Sequence, residues 1–251
     1  MNLEVKKINY IKVSKIKGRM GHQLAEWNTA LSLSVYFEIN FIHTPLGYGW
    51  EKALNFGKDE LTEPPLPTKT VKLPNFNRSH MEEIRATINS HKNSTLLLDE
   101  GQNLENHWLT EGILKSKWKH SPINKPFKKD EDKIGVHIRR GDVTKNAHPN
   151  RWVNDETYIK IIDSVLATKN NTKVHIFSEG KLEDFKAYEK YSPNLHINGS
   201  EFETFNKMTK CETLITGKSA FSYFASILSS NNIIAIPFWH EYPNQKRILT
   251  W

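Results

Sequence analysis

Between residues 133 and 236, short β-branched apolar runs alternate with amphipathic segments, and this alternation constrains the fold more than any other feature. Residues 133–138, 173–177, 195–197, 213–216 and 233–236 read as buried strands. Residues 154–167, 182–191, 200–210 and 219–229 read as helices. Tyr158, Ile161, Ile162 and Val165 recur at helical spacing, as do Phe221, Phe224, Ala225 and Leu228. Ser200 and Glu203 have the spacing of a capping box at the start of the third helix. A strand, a helix and a strand repeated in this way predict a parallel, doubly wound α/β sheet.

The first half is a less regular version of the same pattern. Residues 10–16 predict a strand carrying Ile11, Val13 and Ile16. A glycine loop, Gly18-Arg19-Met20-Gly21-His22-Gln23, leads into a helix over 21–37 with Leu24, Trp27, Leu31 and Val35 as its buried stripe. A strand follows over 38–43. Residues 45–77 read as a long irregular stretch around a short packed element at Trp50, Leu54 and Phe56, suited to an acceptor-site flap. Residues 79–89 predict a helix, 95–98 a strand and 104–118 a helix. Two prolines and a dense charge run over 121–132 mark a linker. The expected division is two Rossmann-like domains, 1–124 and 125–251.

The formal net charge is +7, which favours an anionic partner such as a nucleotide, a nucleic acid or an acidic membrane surface. Lysine-rich patches at 115–119 and 125–133 carry much of it and also fit a generic basic surface. No aromatic-and-basic motif accompanies the charge, so no nucleic-acid partner is expected. Residues 1–17 alternate apolar residues with lysines and contain no run long enough for a signal peptide or a membrane span. The expectation is a cytoplasmic protein with at most peripheral membrane contact, in which the sequons at Asn77, Asn93, Asn171 and Asn198 carry little meaning. The single cysteine, Cys211, excludes an internal disulfide and fits a reducing compartment. It falls in a predicted helix and reads as a buried structural thiol.

Three segments just after strands hold the candidate chemistry, where α/β sheets bind ligands. The first is the loop with Gly18 and Gly21, whose backbone can approach a ligand closely. The second is His137-Ile138-Arg139-Arg140-Gly141-Asp142. Alternation along the strand puts His137 and Arg139 on one side and Arg140 on the other. Arg139 can then hold an anion while Arg140 braces the sheet; a pair of solvated or salt-bridged arginines fits the same pattern. The third is Thr216-Gly217-Lys218-Ser219-Ala220-Phe221-Ser222, a strand running into a helix N-terminus. Its backbone N–H groups, hydroxyls and lysine suit a phosphate, and simple capping by Ser219 also accounts for one serine. There is no P-loop and no His or Cys motif for zinc. Asp130-Glu131-Asp132 has an Asp-x-Asp spacing but sits among linker lysines, as a solvated charge run would.

Together these segments, with Phe177-Ser178-Glu179, resemble the α-1,2-fucosyltransferases and their α-1,6 and protein O-fucosyltransferase relatives. The resemblance implies a GT-B architecture of two Rossmann-like domains facing across a cleft. It implies a GDP-fucose donor, a carbohydrate hydroxyl as acceptor, inversion at the anomeric carbon, and neither metal nor other cofactor. On that pattern Arg139 binds the β-phosphate, and Ser219, Ala220, Phe221 and Ser222 form the second phosphate contact. His137 helps hold the nucleoside, Gly18 and Gly21 belong to the donor loop, and Arg140 and Asp142 are structural neighbours of the site. Glu203 lies near the position of an acidic residue that relatives use on guanine, with a capping role as the alternative. His22 stands where relatives carry Asn, which makes it a candidate base alongside Glu26, Asp142 and His148. Cys211-Glu212 replaces Cys-Asp, and Lys218-Ser219-Ala220 replaces a run of serines. Another GDP-sugar as donor, or a non-catalytic nucleotide- or glycan-binding module, are the competing readings. Neither the acceptor's identity nor an oligomeric state is written in the sequence.

Overall fold

The computed structural model describes residues 9–73, 81–99, 105–127, 132–169, 171–242 and 248–250. The lysine-rich run at 1–8, the sequon at Asn77 and the acidic pair at 130–131 lie outside the described residues. The chain divides into two compact units, one ending at Pro122 and one beginning at Ile123. Each contains a parallel sheet, so the protein is α/β in both halves.

The first unit holds β1 (Tyr10–Val13), α1 (Met20–Phe37), β2 (Asn40–Phe41), α2 (Trp50–Leu54), β3 (Lys69–Lys72), α3 (Met81–Ser90) and β4 (Ser94–Leu98). A 3₁₀ turn at Glu105–Thr110 and α4 (Glu111–Lys119) complete it, where a single helix was expected from 104. Its strands run in the order β2-β1-β4-β3. β3 falls inside the stretch expected to be irregular. It is a mostly exposed edge strand bearing Lys69 and Lys72, so it shows none of the apolar alternation of a buried strand. β1 also ends earlier than expected, at Val13.

α1 departs from a simple amphipathic helix. Gln23, Glu26, Asn28, Thr29 and Ser32 are buried together with Leu24 and Trp27, while Val35 at the end of the expected stripe is exposed. The buried polar residues are satisfied across the unit. Thr110 Oγ1 donates to Asn28 Oδ1 at 2.6 Å, and Asn28 Nδ2 donates to the carbonyl of His107 at 3.1 Å. Trp27 packs edge-on against Phe41, and its indole N–H donates to His43 Nδ1 at 2.9 Å.

The second unit holds β5 (Asp132–His137), α5 (Asp155–Leu166), β6 (Thr172–Ser178), β7 (Asn194–Ile197), α6 (Glu201–Thr209), β8 (Thr213–Thr216), α7 (Ala220–Leu228), β9 (Asn232–Ala235) and β10 (Ile248–Thr250). Its strands run in the order β10-β9-β8-β5-β6-β7, all parallel. β5 is central, pairing Val136 with Ile176 on one side and with Ile215 on the other. Ile134, Val136 and Ile138 pack into one core with Tyr158, Ile161, Ile162 and Val165 of α5. Each such side chain contributes about 1.5–3 kcal/mol by leaving water. His137 projects to the other face, where α6 and α7 pack together through Phe205 and Phe221.

Leu182–Tyr191 forms a helix over the expected residues, of the 3₁₀ kind. Two local expectations fail here. The capping box at Ser200 does not form: its side chain makes no cap bond, and Glu203 instead meets Lys207 Nζ at 2.6 Å, one turn along the exposed face of α6. Cys211 lies just past α6 rather than within it. It is nevertheless fully buried, and burial pushes its thiol pKa up.

Candidate active site

The end of β5 delivers two guanidinium groups to different surroundings. Arg140 turns toward α5. Its Nη2–H donates to Asp155 Oδ1 at 2.7 Å and to the Val153 carbonyl at 3.1 Å, and Nη1–H donates to the Arg139 carbonyl at 3.1 Å. The group also stacks 3.7 Å from the centre of the Trp152 ring. Asp155 accepts a second bond, from Tyr188 Oη at 2.6 Å. A buried charge needs such partners, and here they tie the strand end, the 143–154 loop and the first turn of α5 into one piece.

Arg139 points elsewhere and is 15% exposed, against 6% for Arg140. Its Nη2–H donates to Asp142 Oδ2 at 2.6 Å, and Nη1 lies 4.0 Å from Glu179 Oε2. These carboxylates are 46% and 40% exposed. Solvated ion pairs of this kind are worth about 0–1 kcal/mol. An anion of higher charge can compete with such solvated pairs for the fork. Asp142 thus serves Arg139 directly.

Gly217 brings α7 against the same strand end. A side chain there would begin 2.6 Å from the His137 carbonyl oxygen and 3.0 Å from Tyr158 Oη, so only glycine permits the approach. His137 is buried, its ring centre 6.0 Å from that of Phe221. Ser219 caps α7, its Oγ accepting from the Phe221 N–H at 3.2 Å. Ser222 is fully buried, and its hydroxyl donates to the carbonyls of Gly217 at 3.3 Å and Ser219 at 3.2 Å. Ser219 and Ser222 therefore shape the turn, and the groups it presents to an anion are backbone N–H groups at the start of α7. Ala220 and Phe221 are half-buried there.

Glu203 lies on the exposed side of α6, paired with Lys207, which holds its carboxyl below the usual range. Beside it is a cluster that the sequence did not announce. His175 Nδ1 and His196 Nε2 are 3.0 Å apart with rings nearly parallel, and Phe177 stacks on His196. Burial pushes both histidines down to about 4, aided at His175 by the charge of His196 and nearby lysines and at His196 by Lys207. They are non-adjacent in sequence, and only strand pairing brings them together.

In the first unit, Gly18 has a φ of +75°, and the turn it allows lies under His22. Gln23 locks that loop: its Nε2–H donates to the Gly18 carbonyl at 2.7 Å, and its Oε1 accepts from the Gly47 N–H at 2.7 Å. Gly21 is buried in the first turn of α1. His22 Nε2 is 3.0 Å from Glu26 Oε1; the histidine side chain is 37% exposed and the glutamate 2%. An ionised carboxylate accepts only, so with Glu26 ionised it is the imidazole Nε2–H that donates in this pair. Of the other base candidates, Glu26 is buried in this pair, Asp142 is held by Arg139, and His148 is exposed in the 143–154 loop. Among the described residues no group of three or more His, Cys, Asp or Glu side chains is placed to hold a metal, and no helix is long and apolar enough to cross a membrane.

The family model for Glycosyl transferase family 11 matches residues 104–247, more than half of the chain. Among solved structures, the α-1,6-fucosyltransferase NodZ soaked with GDP-fucose is similar in fold: TM-score 0.56, 14% identity, 92% of this chain and 95% of that one covered. POFUT1 in complex with GDP-fucose gives TM-score 0.50 and 10% identity, with 97% of each chain covered. No curated protein matches the sequence. The chain is therefore an α/β glycosyltransferase of the GT-B kind, and it belongs to glycosyl transferase family 11.

Proposed function

We propose that the protein transfers L-fucose from GDP-fucose to a carbohydrate hydroxyl, forming an α-1,2 linkage with inversion and without a metal. The observation that carries this reading is Arg139. It is a guanidinium at the tip of a central parallel strand, steered by two exchangeable carboxylates beside a glycine turn that opens a helix. The family and the GDP-fucose complexes of NodZ and POFUT1 support the choice of donor.

In the reaction the bond from the anomeric carbon to the β-phosphate oxygen breaks, and negative charge grows on GDP. Arg139 and the α7 N–H groups neutralise that charge, the role a divalent metal takes in other transferases. A preorganised donor of this kind is worth about 10²–10³ in rate. The acceptor oxygen attacks the anomeric carbon from the opposite face, and His22 is the base we assign to its proton, with Glu26 stabilising the imidazolium. His137 and Phe221 line the nucleoside side, and Glu203 is the group we assign to guanine. On this reading the second unit is the donor side and the first the acceptor side.

Calorimetry with GDP, GDP-fucose and UDP tests the donor site. Selective guanine-nucleotide binding that Arg139→Ala abolishes is expected, together with fucose transfer to a glycan in the presence of EDTA. Equal binding of UDP, or unchanged GDP binding by Arg139→Ala, overturns the donor assignment. Transfer from a different GDP-sugar corrects only the sugar, and binding with no transfer to any glycan identifies a non-catalytic module.

A further inference from the structure

The second unit contains a pocket of about 540 Å³ that no step above uses. It lies where the 143–154 loop, the first turns of α5, the end of β9 and the start of α7 converge, and Lys145, Trp152, Asn154, Thr157, Lys218 and Pro237 are among its walls. Two lysines and no acidic residue line it. Lys218 Nζ–H donates to the Asn150 carbonyl at 3.2 Å, which places the ammonium without neutralising it. Among the described residues neither lysine has a carboxylate partner. Two like charges gathered in one concavity repel each other, and an anion between them relieves that repulsion.

The remaining walls suit a sugar. Trp152 is fixed before any ligand arrives, by Arg140 on its ring and by its indole N–H donating to Asn154 Oδ1 at 2.9 Å. A preset aromatic edge offers contact area at little entropic cost. Asn154 and Thr157 bring an amide and a hydroxyl to the same walls. We infer that this pocket holds an acidic sugar unit, bearing a carboxylate or a phosphate, of the glycan that the enzyme modifies. The inference rests on the glycosyltransferase reading and narrows its acceptor to anionic glycans. Its position follows the donor site closely: Lys218 sits between Gly217 and Ser219 of the donor turn, and Trp152 stacks on the arginine that braces Arg139.

The test is binding of methyl glucuronide, methyl glucoside, glucose 6-phosphate and inorganic phosphate to the full chain, followed by NMR or calorimetry with GDP present. The glucuronide or the sugar phosphate is expected to bind about tenfold or more tightly than the neutral glucoside. Lys145→Glu should abolish that preference while its melting curve and GDP affinity stay those of the wild type. Arg139→Ala should do the reverse, losing GDP and keeping the acidic sugar, so failure of the donor assignment is visible separately. Relative strength of glucuronide and glucose 6-phosphate identifies the acid. The inference is overturned if the glucoside binds as well as the acidic sugars, if Lys145→Glu leaves the preference intact, or if inorganic phosphate binds as tightly as either sugar.

Discussion

Arg139 and Arg140 are adjacent in sequence and opposite in circumstance. Arg140 is enclosed by Asp155, Val153 and Trp152 from one side of β5, whereas Arg139 meets Asp142 and Glu179, both well exposed. The same side chain thus braces the fold in one case and is the proposed anion contact in the other. What separates them is whether the counter-charge is buried with the arginine or can leave.

The largest effect expected is on stability at Arg140. Arg140→Ala strands Asp155 beside Tyr188 and should cost about 3–5 kcal/mol, read as a lower urea midpoint. Arg139→Ala should change stability by no more than about 1 kcal/mol while lowering the transfer rate about 10²–10³-fold. Arg139→Lys should remain far below wild type, because one ammonium does not reproduce a two-pronged fork. Equal stability losses in the two alanine variants would erase the distinction. Gly217→Ala comes next. Its new methyl meets the His137 backbone, so a loss of about 1–3 kcal/mol is expected with weakened GDP binding, and a neutral outcome would show that the turn can open freely.

The smallest effect sharpens the contrast from another direction. Among the described residues the acid that acts on this pair, Glu203, is exposed, and the folded pKa of about 4 for His175 and His196 lies below the ordinary value of 6.5. Between those values the unfolded chain binds more protons than the folded one. Stability should therefore fall as pH drops from about 6.5 toward 4 and change little from this source above that window. His196→Phe should flatten the slope, measured by urea unfolding at a series of pH values. A slope unchanged by this substitution would assign it to other groups.

Much of this was legible beforehand because it is periodic. Buried strands such as β5 and β6, and the single-faced helices α5 and α7, announce themselves by composition and spacing. Edge strands β3 and β10 do not, since β3 has no apolar face to show and β10 is only three residues long. α1 misleads for the opposite reason: its buried Gln23, Glu26 and Asn28 are polar, and their tertiary partners, such as Gly47 and His107, lie far along the chain. At the strand end, the alternation that sets Arg139 and Arg140 in different surroundings was readable. The partner of Arg140 was not, because Asp155 is 15 residues away and opens a helix. Ser200 and Glu203 show the limit of local spacing, since the lysine at 207 outcompetes the backbone for the carboxylate.

Cys211 has a practical consequence. It is the only thiol in the chain, and it lies fully enclosed within the second unit. A sulfhydryl reagent therefore labels only molecules in which that half has opened, and the labelling rate is an intrinsic clock for its breathing. On the proposed donor assignment GDP slows the clock, whereas loosening confined to the other half leaves it running at the same pace.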